Sequence, residues 1–359
     1  MPLSSASATP IPIIDVGTLR QASSPLAERV RVGKQIGKAC EEVGFFVIVN
    51  HGVGEATTGA AWDQTAAFFD MPIEAKVGPG KHLLMTDTFP YGYSPFGGEK
   101  LDKGKVMVDG EANDDEALKG KAGDMKEMFS VGPYLPEAGM PLPRYPDVPT
   151  GMAPAWRAYF EAMECLSADL MKGFALALDL EEGWFEGKVD KHASSLRALN
   201  YPSLAGQPVP QPGQMRASAH TDYGVLTILR SGGPGLQVKL RDGQWHDAPF
   251  VPGGFIINLG DLMSRWTNDK WLSTPHRVVV PDKAAAASSA AATSGERRQS
   301  MAYFCNLNMD ADVSAIPTCV TPGNPAKYPP TKAGEHLMAK HGASTAGILD
   351  DSWMKDLAK

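Results

Sequence analysis

The pattern of hydrophobic and polar positions predicts three helices before residue 181. Residues 25–42 and 155–180 carry apolar side chains every three or four positions, and residues 55–69 form the remaining predicted helix. The segment 155–180 is the most regular, with Phe160, Met163, Leu166, Leu170, Phe174 and Leu178 at helical spacing. We expect this helix to pack across the outer face of a β-sheet.

Strands are predicted where apolar and polar residues alternate or where short apolar runs occur. From residue 194 onward the hydrophobic period becomes two. The predicted strands are 11–15, 45–49, 196–202, 225–229, 236–238, 244–246, 255–261, 272–280 and 301–306. Many short strands with turn signals, preceded by helices, predict a mainly β fold with flanking helices (α+β) and a double-stranded β-helix, or jelly-roll, core.

Two stretches between these elements are predicted to be loops. Residues 78–123 are polar and rich in glycine, and we expect them to border a substrate cavity because long loops on rigid scaffolds often carry specificity. Residues 284–295 are almost all Ala, Ser and Thr and lie between two predicted strands. They predict an extended, mobile hairpin loop without a chemical role.

Composition narrows the range of partners. The chain has 359 residues, 43% of them hydrophobic, and a net charge of −7 without a basic cluster, which argues against nucleic acid and membrane surfaces as partners. It shows neither an apolar run of the roughly 20 residues needed to cross a bilayer nor a secretory signal. The four cysteines show no paired spacing (Cys40, Cys165, Cys305, Cys319), which predicts free thiols and a cytoplasmic location.

A candidate metal site begins at His220-x-Asp222, at the end of a predicted strand. Side chains alternate along a strand, so His220 and Asp222 are expected to point the same way. His276, which opens another predicted strand, is the best candidate for a third ligand. Two His and one carboxylate on one face of a metal suit a non-haem Fe(II) that activates O2. A hydrogen-bonded His–Asp pair at a strand end is the alternative interpretation.

A second motif, Arg298-x-Ser300, follows His276 at the start of the next strand. Arg298 and Ser300 share one face of that strand. A guanidinium fork with a neighbouring hydroxyl is a receptor for a carboxylate.

These motifs, in this order, resemble those of the Fe(II)/2-oxoglutarate-dependent dioxygenases, and most closely the isopenicillin N synthase-like branch. Further stretches resemble the family in order, namely Ile11–Asp15, Glu42–Val53, Leu259–Asp261, Trp266–Asn268 and Tyr328–Glu335. The resemblance implies an N-terminal region of helices and strands at residues 1–150, a jelly-roll core at 190–312 and a C-terminal helical extension at 313–359. It also implies a metal inside one open end of the roll.

The resemblance assigns roles to individual residues. His220, Asp222 and His276 would be the catalytic metal ligands of Fe(II), and O2 would bind at a remaining position. 2-Oxoglutarate would chelate the iron, with its far carboxylate held by Arg298 and Ser300 and with Tyr201 nearby. Relatives often carry Asn two positions before this Tyr, where the present chain has Leu199. The implied reaction converts 2-oxoglutarate to succinate and CO2 and oxidises, most often hydroxylates, a small-molecule substrate.

Four residues are candidate substrate contacts. Arg197 shares a strand face with Tyr201, and Arg216 alternates with His220, so both can bring a cation into the cavity and favour an acidic substrate. A structural ion pair is the alternative for Arg197, and a solvent-exposed rim position is the alternative for Arg216. Phe129 and Tyr93 are further candidates, although Phe129 is equally suited to core packing.

Three other functions remain open at this point. The first is an isopenicillin-synthase-type iron oxidase that uses O2 without 2-oxoglutarate, in which Arg298 and Ser300 would bind a substrate carboxylate. The second is a zinc hydrolase, but no general-base Glu accompanies the His and Asp residues. The third is a binding module without turnover, which would normally have lost a metal ligand. The sequence makes no prediction of oligomeric state.

Overall fold

The computed structural model describes residues 10–21, 23–86, 91–98, 123–134, 141–203, 214–279 and 297–345, without the side chains of 81 and 341–345. The predicted insert 284–295 lies outside these residues, as does most of the stretch 78–123. The helices in the described ranges are α1 Leu26–Glu42, α2 Glu55–Phe69, α3 Ile73–Val77, α4 Met152–Ala177, α5 Asp261–Trp266 and α6 Ala333–Thr345. Short 3₁₀ turns occur at Pro79–Lys81, Glu186–Lys188 and Pro317–Cys319.

The strands form two main sheets. They are β1 Ile13–Asp15, β2 Phe45–Val49, β3 Gly92–Ser94, β4 Glu127–Val131, β5 Ser195–Tyr201, β6 Ala217–His220, β7 Leu226–Ser231, β8 Leu236–Lys239, β9 Trp245–Asp247, β10 Phe255–Leu259, β11 His276–Val278, β12 Arg298–Cys305, β13 Asp312–Val313 and β14 Thr331–Lys332. The larger sheet has the order β1-β2-β10-β7-β12-β5-β4-β3, and the smaller has the order β6-β11-β8-β9. Strands β13 and β14 pair with each other.

The two sheets share an apolar core between their inner faces. This core includes Phe45, Val47, Tyr201, Ala217, Leu236, Val238, Ile256 and Val278, which come from both sheets and their flanks. The outer face of the larger sheet packs against helices, through a second core that includes Leu196, Ala198, Ile228, Ile257, Met301, Trp156, Phe160 and Phe174. The larger sheet is therefore buried on both faces, and the predicted jelly-roll architecture with flanking helices is confirmed.

Helix α4 forms where the regular hydrophobic pattern predicts a helix. It starts at Met152 and ends at Ala177, three residues earlier at each end than the predicted bounds. Its apolar stripe, which includes Trp156 and Phe160, is fully buried in the core on the outer side of the larger sheet. None of the helices in the described ranges is long and apolar enough to cross a membrane.

Strands from the N-terminal region extend the larger sheet on both sides. Strand β2 pairs antiparallel with β10, and Phe45 lies opposite Asn258. Strand β4 pairs antiparallel with β5, and Phe129 lies opposite Ala198. The sheet that carries the site residues of β5, β7, β10 and β12 therefore depends on strands that precede residue 150.

The turn before β2 packs tightly against the segment that leads to β11. Gly44 has a φ of +73°, and a Cβ atom there would lie 2.4 Å from the Thr274 side-chain oxygen and 2.6 Å from the Leu272 carbonyl oxygen. Only glycine combines this backbone conformation with so close an approach. Thr274 also donates a hydrogen bond of 2.7 Å to the carbonyl oxygen of Val43. These contacts fix the backbone two residues before His276.

Candidate active site

His220 and His276 meet because the edge strand β6 pairs with β11. The two residues lie directly opposite each other, and their ring centroids are 4.3 Å apart. The Nε2 atom of His220 lies 4.0 Å from Oδ1 of Asp222, and that of His276 lies 3.8 Å from the same oxygen. The three ligand atoms lie within 4.8 Å of one another. Among the described residues, this is the cluster that can hold a metal ion.

Hydrogen bonds from the far side of each ring orient the two imidazoles. Nδ1 of His220 donates to the carbonyl oxygen of Ser218 at 2.7 Å, and Nδ1 of His276 donates to that of Thr274 at 3.2 Å. With Nδ1 protonated, each Nε2 presents a lone pair to the centre of the cluster. This arrangement is typical of metal-ligating histidines, whose second nitrogen is held by an outer acceptor.

Hydrogen bonds hold Asp222 through one carboxylate oxygen, while the other oxygen faces the two histidines. Its Oδ2 accepts hydrogen bonds from the Thr227 hydroxyl at 2.5 Å and from Nδ2 of Asn258 at 2.7 Å. Oδ1 therefore faces the two histidines. Strand β6 ends at His220, so alternation along the strand does not orient Asp222 as expected. Instead, the bonds from β7 and β10, and a bond from the Asp261 amide to the Asp222 carbonyl oxygen, set its position.

Burial and mutual charge set the protonation of the cluster. Burial, and after it the charge of the neighbouring His276, lower the pKa of His220 to about 4, so the imidazole is neutral at neutral pH. Burial alone would raise the pKa of Asp222. The charges of His276 and His220 and the hydrogen bonds from Asn258 and Thr227 more than offset that effect and lower this pKa. Two neutral imidazoles and one carboxylate are the ligand forms that a divalent cation needs.

Arg298, Ser300 and Tyr201 lie together on the inner face of the larger sheet. Arg298 is opposite Tyr201 in the β12–β5 pair, and Ser300 is opposite Leu199. The Arg298 guanidinium carbon lies 5.1 Å from the centre of the Tyr201 ring. The predicted set of co-substrate residues is thus brought together in space.

The guanidinium of Arg298 is buried and only partly hydrogen-bonded. Arg298 is 5% exposed, and burial lowers its pKa, an effect that Tyr201 counteracts. Nη2 donates to the Ser231 hydroxyl at 2.8 Å and Nε donates to the Gly233 carbonyl oxygen at 3.3 Å. Nη1 is buried without a hydrogen-bond partner among the described residues. Such a buried, unsatisfied cationic donor is costly unless a ligand satisfies it, and a carboxylate is the group that fits.

Arg197 lies on the same inner face, on β5. It is opposite Ala302 on β12 and opposite Ser130 on β4. Its guanidinium carbon lies 5.6 Å from the centre of the Phe304 ring. Phe304 is in turn opposite Thr227, the residue that bonds to Asp222. The predicted inward direction of Arg197 agrees with this position.

Arg216 is buried near the co-substrate residues rather than at a solvent-exposed rim. It is 2% exposed, and its guanidinium carbon lies 6.0 Å from the centre of the Tyr201 ring. The position of Arg216 before β6 places it on the opposite sheet from Arg298.

Tyr93 and Phe129 do not join the cluster. They lie opposite each other on β3 and β4, on the helix-facing side of the sheet. Phe129 packs edge-on against Trp156 of α4 at 5.4 Å between ring centroids, and the Tyr93 hydroxyl donates to Glu127 at 2.6 Å. This burial in the outer core corrects the expectation that the two residues contact substrate.

Sequence patterns did not single out Thr227, Asn258 or Phe304 as site residues. Phe304 carried a usable signal, since it lies six residues after Arg298 and therefore shares the face of Arg298 and Ser300. Thr227 and Asn258 carried none, because their role depends on how β7 and β10 pair. His51, which follows β2, does not join the cluster, and its Nε2 bonds to the Gly253 carbonyl oxygen at 2.7 Å.

The chain matches two family models. Residues 11–150 match the N-terminal region of the non-haem dioxygenases in morphine synthesis, and residues 193–307 match the 2OG-Fe(II) oxygenase superfamily. The 2-oxoglutarate-Fe(II) type oxidoreductase ppzC of Metarhizium majus is 31% identical, with 91% of this chain and 85% of that protein covered. The chain belongs to the 2OG-Fe(II) oxygenase superfamily.

Other members of the 2OG-Fe(II) oxygenase superfamily resemble the chain over similar lengths. A homoarginine-6-hydroxylase of Oryza sativa is 31% identical, with 92% of this chain and 96% of that protein covered. A Neurospora crassa enzyme solved with alpha-KG and thymine is 29% identical and has a TM-score of 0.76, with 93% and 96% of the two chains covered. A family protein from Caulobacter crescentus has a TM-score of 0.74 at 26% identity, with 93% and 98% covered.

Membership in the 2OG-Fe(II) oxygenase superfamily confirms the predicted activity. The protein is an Fe(II)- and 2-oxoglutarate-dependent dioxygenase that acts on a small molecule with O2 as co-substrate. This outcome decides against a zinc hydrolase and against a binding module without turnover. The donor set of two imidazoles and one carboxylate fits Fe(II), and the unsatisfied Nη1 of Arg298 fits a carboxylate of 2-oxoglutarate.

Proposed function

We propose that this dioxygenase hydroxylates a small molecule that carries a carboxylate, and that Arg197 binds this group. His220, Asp222 and His276 would hold the iron, and Arg298 and Ser300 would hold 2-oxoglutarate. The observation that carries the substrate class is the position of a guanidinium on the inner face of the sheet beside Phe304.

The chain's own residues prepare the metal site. Bound Fe(II) supplies the activation of O2 that is coupled to oxidative decarboxylation of 2-oxoglutarate. Nε2 of each histidine and Oδ1 of Asp222 converge on one point, while Thr227 and Asn258 keep Oδ2 turned away. In this arrangement the three residues would hold Fe(II) from one side and would leave the other side to co-substrate and O2.

An apolar wall helps to exclude water from this centre. Phe45 packs edge-on against His276, with 5.2 Å between ring centroids. Phe45 belongs to the core between the sheets together with Val47 and Ile256. Fewer water molecules beside the metal mean fewer side reactions of oxidising species and stronger electrostatic interactions within the site.

The substrate side of the site is polar as well as aromatic. Ser130 lies opposite Arg197, so both side chains project from the same face of the sheet. The Ser130 hydroxyl is buried and has no hydrogen-bond partner among the described residues. A carboxylate beside Phe304 would accept bonds from this hydroxyl and from the guanidinium of Arg197. The Phe304 ring would then pack against the apolar part of the substrate.

The names of the relatives agree with a polar substrate without fixing one compound. They name homoarginine as the compound hydroxylated, thymine as a bound ligand and validamycin A as a substrate. Homoarginine carries a carboxylate and thymine carries carbonyl oxygens, and both groups accept hydrogen bonds. Three of the relatives are named hydroxylases, which supports hydroxylation rather than desaturation or ring closure.

The substrate class can be tested by substrate-dependent formation of succinate. The enzyme would be purified anaerobically with Fe(II) and offered 2-oxoglutarate and O2 with a panel of small carboxylic acids, each paired with its neutral amide. We expect acids to stimulate succinate formation at least about 10-fold more than their amides, because a charge-assisted hydrogen bond contributes about 1.5–3 kcal/mol. Arg197→Gln should abolish this preference, whereas Arg157→Gln, an exposed surface control, should retain it.

Two outcomes would contradict the proposed substrate class. One is equal stimulation by acids and amides in the wild type, and the other is an unchanged preference in Arg197→Gln. His276→Ala serves as the control for iron-dependent turnover in either case, since it removes one proposed ligand.

We also propose that the protein is cytoplasmic and that it belongs to the isopenicillin N synthase-like branch. Three of the four cysteines are buried free thiols and Cys165 is an exposed free thiol, which supports a reducing, cytoplasmic location. The order of the motifs supports the isopenicillin N synthase-like branch.

A further inference from the structure

Tyr201 is flanked by two buried guanidinium groups from different sheets. Arg298 of β12 lies 5.1 Å from the ring centre, and Arg216, which precedes β6, lies 6.0 Å from it. They are 5% and 2% exposed, respectively. Two cations are therefore buried around one aromatic ring in the space between the sheets.

The two guanidinium groups repel each other in this setting. Burial is the main cause that lowers the pKa of Arg216, and the charge of Arg298 lowers it further. Like charges in a region of low dielectric are stabilised when an anion lies between them. The distal carboxylate of 2-oxoglutarate is an anion that the established activity supplies.

Arg298 by itself offers an incomplete receptor for that carboxylate. Its Nε and Nη2 atoms already donate to Gly233 and Ser231, so the edge of the guanidinium that contains both atoms faces β7 and the residues after it. Nη1 remains for the ligand. The parallel two-bond pairing of one arginine with one carboxylate is therefore not available along that edge. The carboxylate is left with the Nη1 end of Arg298, where a second guanidinium would add donors and charge.

We propose that Arg216 is a second arginine for the distal carboxylate of 2-oxoglutarate, acting together with Arg298 beside Tyr201. This assignment moves Arg216 from the substrate, where the sequence placed it, to the co-substrate. It rests on the 2-oxoglutarate dependence of the family and not on the proposed substrate class. Arg197, next to Phe304, remains on the substrate side.

The test compares two 2-oxo acids that differ only at the far end. 2-Oxoglutarate has the distal carboxylate, whereas 2-oxopentanoate has a methyl group in its place and keeps the end that chelates iron. Each would be titrated anaerobically into the Fe(II)-loaded enzyme without substrate, and the absorption band of the chelate would report binding. The readout is a dissociation constant and requires no turnover.

Arg216→Gln should raise the Kd for 2-oxoglutarate by about 10- to 100-fold, as expected for the loss of a hydrogen bond between charged groups. The Kd for 2-oxopentanoate should stay within about twofold of the wild type, because that ligand never makes the contact. For Arg216→Lys, the Kd for 2-oxoglutarate should lie between those of the wild type and Arg216→Gln, since lysine keeps the charge but loses the planar fork.

Arg230→Gln provides a matched control. Arg230 is also a partly buried arginine near an aromatic ring, with its guanidinium carbon 4.4 Å from the centre of Trp62. It is opposite Met301, a residue of the helix-facing core, and therefore lies on the outer face of the sheet. This variant should bind both 2-oxo acids as the wild type does.

Two results would overturn the proposal. An unchanged Kd for 2-oxoglutarate in Arg216→Gln would remove Arg216 from the receptor, and an equal loss for both 2-oxo acids would assign it a purely structural role. A thermal melt of each variant checks folding. If Arg216→Gln does not fold, Arg216→Lys serves as the test variant. The proposal requires that Arg216→Lys weaken the binding of 2-oxoglutarate more than the binding of 2-oxopentanoate. Since no substrate is present, failure of the substrate proposal leaves this result unaffected.

Discussion

His220 and His276 lie directly opposite each other across β6 and β11, with 4.3 Å between their ring centroids. The pairing of two short strands thus positions two proposed ligands that are distant in the sequence. Asp222 joins them from the loop after β6 and is held by residues of the other sheet. The proposed metal site therefore spans both sheets of the roll, and a bound ion would connect them.

Metal binding should stabilise the folded protein, because the ligand set is complete only in the native state. A divalent cation such as Fe(II), or Mn(II) in air, at 100 times its Kd should add about 2.7 kcal/mol to the free energy of unfolding. Thermal melts with and without the metal, or after removal by a chelator, measure this effect. His276→Ala should lose the metal-dependent shift, whereas His246→Ala, at an exposed pair with Asp242, should keep it. A full shift in His276→Ala would contradict the proposed ligand set.

Asn258 should increase the affinity for Fe(II) without binding the metal itself. Its Nδ2 holds the outer oxygen of Asp222 at 2.7 Å. Asn258→Ala should weaken Fe(II) binding by about 10- to 100-fold, which is typical for loss of a partner behind a metal ligand. Anaerobic Fe(II) titration measures the change. Asn308→Ala removes another buried amide, which bonds to Asp190 and the Lys191 amide, and should leave the affinity for iron unchanged.

Gly44→Ala should impair both folding and the site. The new Cβ would meet Thr274 and Leu272 at distances well under 3 Å, at a residue with φ +73°. We expect a loss of roughly 1–3 kcal/mol in the free energy of unfolding. We also expect weaker Fe(II) binding, because the Thr274 carbonyl oxygen orients His276. Gly59→Ala, on α2 with open space around its Cβ, should be neutral or stabilising. Denaturant unfolding measures the change, and a free energy of unfolding of Gly44→Ala equal to that of the wild type would contradict this prediction.

Arg298→Lys should reduce the affinity for 2-oxoglutarate although the charge is kept. Lysine cannot reproduce the bonds to Ser231 and Gly233 together with a free donor for the ligand. We expect the Kd of 2-oxoglutarate to rise by at least about 10-fold, which corresponds to about 1.4 kcal/mol. Calorimetric titration of the metal-loaded protein measures it. Arg265→Lys, at the surface near Tyr328, is the control. Equal affinities of Arg298→Lys and the wild type would argue against Arg298 as the anchor.

Local sequence patterns predicted the elements better than their contacts. The helix at 155–180 and the strands at 236–238 and 244–246 depend on near neighbours in the sequence, and these predictions are confirmed. The direction of Tyr93 and Phe129 could not be inferred, because the larger sheet has an apolar core on each face. An aromatic residue on such a strand suits either side. The roles of Thr227 and Asn258 likewise depend on strand pairing over long sequence distances.

The antiparallel pairs β2–β10 and β4–β5 have a consequence for any shortened form of the chain. A fragment that began near residue 190 would keep the proposed site residues but would leave one side of β10 and one side of β5 without a partner. Each exposed edge would present unpaired amide and carbonyl groups flanked by apolar side chains, which invites association with other molecules of the same kind. The N-terminal strands thus protect the part of the chain that carries the proposed metal ligands from aggregation.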